Sequence, residues 1–129
     1  MAVPIHLYEE IIHGTRNQFV RQEYDALDAN SDRTVRRGVR DCVAHLLSCA
    51  KQTAYASLLP PLSPTATLYH YIDGPGARTA VLFGVAGDQR GAMIKIVVFR
   101  FALAHSAQVH NTDLQTALTR FHNYQGIWL

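Results

Sequence analysis

Residues 1–129 are expected to form one α+β domain: an N-terminal helical pair, a three- or four-stranded antiparallel meander sheet and a C-terminal helix. Three observations predict this. Apolar residues from Val35 to Ala54 recur at helical spacing, whereas the segments from Thr67, Thr79 and Ala92 are rich in strand formers and are separated by glycine turns. The third is Thr112-Asp113-Leu114-Gln115, a capping-box pattern that opens the final amphipathic helix near the end of the chain.

Taken in order, Tyr8, Ile11, Ile12, Thr15 and Phe19 mark one helical face, and the spacing predicts a helix from about Tyr8 to Leu27. Gly14 interrupts that face, and Pro4 to Tyr8 also fits a short strand. The polar stretch Asp28 to Asp32 then turns the chain as in an αα-hairpin. Ser31 or Asp32 caps the long helix, whose apolar positions Val35, Val39, Cys42, Val43, Leu46, Leu47, Ala50 and Ala54 run to about Leu58. Pro60, Pro61 and Pro64 end it, because proline lacks the amide donor and clashes with the preceding turn.

Beyond the prolines the period changes. Thr67 to Ile72 and Thr79 to Val85 read as a hairpin around Asp73-Gly74-Pro75-Gly76, and Gly87 to Gly91 turns the chain into a long strand from Ala92. The near-continuous apolar run Ile94 to Phe101 suits a central strand covered on both faces, from which Lys95 and Arg100 must reach solvent or a site. The final helix buries Leu114, Ala117, Leu118 and Phe121 and stops at Gly126. Helices are expected on one sheet face, leaving the other for a site.

Composition narrows the class. With 48% hydrophobic and 17% charged residues and a mean hydropathy of -0.03, the chain reads as an ordinary globular protein. No apolar run approaches a membrane span and the N-terminus lacks the pattern of a signal peptide, so a cytoplasmic protein is expected. Cys42 and Cys49 are about 10 Å apart along a helix, too far for a disulfide between them, and are expected to be reduced. No metal or cofactor is expected: the histidines are dispersed, and Gly84 to Gly91 lacks the lysine and hydroxyl ending of a phosphate loop.

The cations are ten Arg against two Lys, and arginine suits planar contact with phosphate or carboxylate. Arg33, Arg36, Arg37 and Arg40 share one side of the first turns of the long helix, where cations oppose the helix dipole. They form either a solvated salt-bridge network with Asp25, Asp28, Asp32 and Asp41 or a patch that tracks phosphates. His105 and His110 bracket the loop after the central strand, as functional or ordinary exposed histidines. Tyr69, Tyr71 and Phe83 read as cross-strand pairs or as base-stacking platforms. The apolar tail Ile127-Trp128-Leu129 fits docking on a partner or packing on its own core.

The strand Ile94 to Phe101, the loop Ala104 to Asn111 and the helix from Asp113-Leu114 through Ala117, Arg120 and Tyr124 resemble the ending of the RelE/HigB-like superfamily of toxin ribonucleases. The helical pair, proline loop and sheet follow that family's order, whereas Ala104 to His110 departs from it in lacking several basic residues. The resemblance implies metal-independent RNA cleavage, with His105 or His110 as base or acid and Arg100 or Arg120 steadying the phosphorane. It further implies Tyr124 as a secondary acid and Arg78 and Arg90 as holders of the RNA backbone. The competing class asks for no aligned catalytic groups: a module that inhibits or regulates a protein partner, of immunity, antitoxin-like or phage-encoded inhibitor type, with the tail as anchor. A homodimer through the meander's edge strand is compatible with either.

Overall fold

The computed structural model describes residues 4–50, 68–72, 79–90, 92–104, 109–124 and 127–128. It is α+β, but its N-terminus departs from the expected helical pair. Strand β1 (Ile5–Leu7) is followed by a hairpin of β2 (Glu10–Ile12) and β3 (Thr15–Asn17), and only then by helix α1 (Phe19–Asp28). The helix expected from Tyr8 is therefore half hairpin. The reason lies at the tip, where His13 and Gly14 both take positive φ, 51° and 78°. Two left-handed residues in succession make a turn whose twist matches that of the flanking strands, and no helix continues through them.

Helix α2 (Arg33–Ala50) begins as expected, with Asp32 Oδ1 accepting from the Thr34 amide at 2.9 Å and its hydroxyl at 2.6 Å. The continuation expected to Leu58 and the proline loop lie outside the described residues. Strands β4 (Leu68–Ile72), β5 (Thr79–Gly87) and β6 (Met93–Leu103) form the expected antiparallel meander. Asp88 holds the β5–β6 turn by accepting from the amides of Arg90 and Ala92 at 2.8 and 3.0 Å. Helix α3 (Asn111–Asn123) follows, and β7 (Ile127–Trp128) ends the described chain. The capping box expected at Thr112 does not form. The N-cap is His110, two residues earlier, so Thr112 lies within the first turn, where Asp113 bonds to Arg100.

The sheet is mixed rather than antiparallel throughout. Among the described residues its order is β1-β6-β5-β4, with β1 parallel to β6 and β7 antiparallel to β5. The Pro4 carbonyl and the Tyr8 amide tie the two ends of β1 to Ile96 and Val98, each at 3.0 Å. On β5, β7 lies opposite Ala86 and Gly87 and so extends the row that β4 leaves at Gly84.

Helices cover both faces, not one. Side chains alternate along strands and directly paired residues share a face. His45 of α2 stacks on Tyr71, and Tyr71 pairs through Val81 to Phe101, against which Tyr24 of α1 packs; α1 and α2 therefore share a face. Phe99 meets Phe121 of α3, Tyr8 and Tyr124 on the opposite face. This arrangement depends on an irregularity: the register jumps from Leu82–Arg100 to Phe83–Val98, so Phe99 is a bulge residue. Phe83, Phe99, Leu46, Leu68, Leu82 and Ile96 are fully buried and form the centre of the core.

Candidate functional site

Strand β1 ends opposite Val98, so the same side of β6 has no strand beside it from Phe99 onward among the described residues. Backbone groups there need other partners. They find them in two side chains of opposite charge. Arg120 of α3 donates to the Phe99 carbonyl at 2.7 Å, and the Phe101 amide donates to Glu23 of α1 at 3.2 Å.

These two side chains also bind each other. Arg120 reaches Glu23 at 2.9 Å, and Arg100 bridges Glu23 at 2.7 Å to Asp113 at 2.8 Å. The quartet links α1 on one sheet face to α3 on the other across the open side of β6. Its side chains are 10 to 26% exposed, with Arg120 the most buried and Arg100 the least. Burial opposes the charge on Arg100, but the bonds to Asp113 and Glu23 outweigh it and hold its pKa above the usual arginine range. Two guanidinium groups face two carboxylates, so the cluster is electrically closed.

Beside the quartet lies a cleft of about 410 Å³, whose lining includes Glu23, Arg100, Leu103, His110, Thr112 and Asp113. His110 is the N-cap of α3 and is exposed, with Nδ1 3.4 Å from the Thr112 hydroxyl. Thus His110 and Arg100 share the cleft. His105 lies outside the described residues. Comparison with protein families, with curated proteins and with solved structures gives no match.

Arg120 does not line the cleft; its guanidinium is turned to Glu23, Phe99 and the ring of Phe19. Tyr124 is likewise elsewhere, packed with Phe99 and Tyr8 and covered by Lys95, whose Nζ is 5.2 Å from the ring centroid. Among the described residues no three His, Cys, Asp or Glu side chains are placed to hold a metal ion.

The arginines of α2 form a second site. Arg33, Arg36, Arg37 and Arg40 with Asp41 line a shallow concavity of about 360 Å³. Arg40 pairs with Asp28 at 2.7 Å and Arg37 with Asp41 at 3.7 Å, while Arg36 donates to the carbonyls of Asn30 and Ser31. The bond to Asp28 raises the pKa of Arg40. Arg90 belongs to neither site. Cys42 of α2 touches Thr79 at the start of β5, and Arg90 follows its far end, about 26 Å along the strand. Arg78 and Leu129 lie outside the described residues, and of Ile127 and Trp128 the backbone alone is described, as β7. Tyr69 and Phe83 form the cross-strand pair, buried at 5.9 Å between centroids, rather than an open stacking surface.

Glu23 and Asp113 are the residues that sequence reasoning missed. Glu23 meets partners 77 and 97 positions away, which no local pattern reveals. Asp113 carries the signal of a helix start, and Arg100 claims it.

No described helix is long and apolar enough to cross a membrane.

Proposed function

We propose that the chain is a small protein-binding module that inhibits or regulates a partner in the cytoplasm. One observation carries the reading: Arg100 and Arg120, the arginines nearest the candidate catalytic loop, are already matched by Glu23 and Asp113. A guanidinium committed to buried carboxylates has little left for a developing phosphorane, because leaving Glu23 unpaired in a site 15% exposed would cost several kcal/mol, roughly 3–5. The chemistry left accessible is recognition. The α2 arginines and the edge strand formed by the tail from Ile127 are the surfaces offered to a partner.

The test is capture by the tagged chain from a native lysate, with and without ribonuclease, followed by reconstitution of the captured protein with purified chain. A stoichiometric complex that resists ribonuclease is expected. Recovery of RNA alone, or of no partner, overturns the reading. Gel filtration in the same experiment separates a monomer from a homodimer.

A second reading, metal-independent RNA cleavage of the RelE/HigB-like type, is favoured by the shared cleft of His110 and Arg100. In that reaction His110 or His105 would move the proton at the 2'-hydroxyl or the leaving oxygen. Incubating mixed RNA in chelator with wild type and with His105→Ala plus His110→Ala decides it. Equal RNA integrity in all samples would discard the nuclease.

A further inference from the structure

On α2 the cations outnumber the described carboxylates that reach them. Asp32 caps the helix through Thr34, Asp41 and Asp28 each take one arginine, and Arg36 rests on backbone carbonyls. Arg33 is exposed and makes no hydrogen bond or ion pair among the described residues. Positive charge is thus left over on the first turns of a helix, where the dipole adds to it rather than offsetting it. The existing pairs are also open to solvent: the side chains of Arg37 and Arg40 are 79% and 64% exposed. Exposed ion pairs contribute little, so a better acceptor displaces them readily.

We propose that this face of α2 docks an acidic segment of a partner protein, whose carboxylates supply Arg33 and replace Asp41 and Asp28 on Arg37 and Arg40. The inference rests on the protein-binding reading and assigns it a surface. From Arg33 to Arg40 the helix rises about 10 Å, room for two or three carboxylates held in the paired geometry that guanidinium groups favour. One observation favours protein over nucleic acid. Every described Phe and Tyr is buried or half-buried, so among the described residues no exposed aromatic platform accompanies the cations.

The experiment measures fluorescence anisotropy of a labelled octa-glutamate peptide titrated with the full chain at low salt. Wild type is expected to bind and to weaken as salt rises, and Arg33→Glu plus Arg37→Glu to lose at least about tenfold in affinity. Arg21→Glu, which reverses an exposed charge on α1, is expected to bind as wild type. Thermal unfolding of each variant by circular dichroism checks the fold. If the double reversal unfolds, Arg33→Ala plus Arg37→Ala replaces it and must also weaken binding.

Undiminished binding by the folded double variant overturns the proposal, as does tighter binding of an octa-uridylate than of the peptide. Lysate capture separates this failure from that of the underlying reading. A folded double variant that still holds the wild-type partner removes only the α2 surface, whereas no partner for either chain removes both.

Discussion

Glu23 is the residue whose loss should be felt most widely, since it serves Arg100, Arg120 and the Phe101 amide together. Glu23→Gln leaves Arg120 buried beside a neutral amide, and a loss of about 3–5 kcal/mol is expected, read as a lower urea midpoint and melting temperature. An unchanged midpoint would show that Asp113 and the Phe99 carbonyl suffice. A different residue pair governs the response to acid. Burial pushes the imidazoles of His45 and His70 below their ordinary value of 6.5, and the His70 Nδ1 is buried with no hydrogen-bond partner among the described residues. Both therefore bind protons more readily when unfolded. Their contribution is present above that ordinary value and is lost as pH falls toward the lowered folded values. The melting temperature should drop between about pH 7 and pH 5, and His70→Leu should flatten the drop while leaving the neutral-pH fold intact. His70 is readable in the sequence as a strand residue; its orphaned nitrogen is not, because orphaning depends on which side chains surround it.

At the level of elements, α2, the meander and α3 were legible because each carries its own period, cap or turn. The hairpin β2–β3 was not. Tyr8, Ile11, Ile12 and Thr15 match a helical repeat by coincidence, and Ile11 is 77% exposed, so its apolar character reports no core position. Gly14 was the available signal, and its φ of 78° explains it. Gly14→Val should cost on the order of 1–2 kcal/mol by forcing a branched side chain into the left-handed region. Because β2 and β3 form a sheet of their own, the loss should appear as faster amide exchange from Glu10 to Asn17 while exchange in β5 and β6 is preserved. By contrast, Phe121→Ala removes the ring that α3 packs on Phe99 and should lower global stability by about 3–5 kcal/mol. Exchange then accelerates throughout the sheet, and acceleration confined to α3 would refute that packing role.

For the whole molecule, the expected single-faced layering failed because the bulge at Phe99 turns an aromatic away from α1 and α2 and gives α3 a surface of its own. No sequence period announces a bulge; the register of the neighbouring strand decides it. The same holds for β1, three residues whose partner is β6. At the other end of the chain, removing residues 127–129 should release the β5 edge at Ala86 and Gly87. Faster exchange at the one of those two amides that faces the tail, with an intact fold, would identify the tail as an edge strand, and unchanged exchange there would argue against it.

The pairing of Ile5 with Ile96 has a consequence in time. Strand β1 leaves the ribosome long before its partner and cannot pair until β6 has been made and the intervening chain has closed a large loop. The N-terminal segment should therefore be the last part of the sheet to order during refolding. Pulse-labelled exchange that protects Ile96 and Tyr8 later than the β4–β5 amides would record that sequence of events.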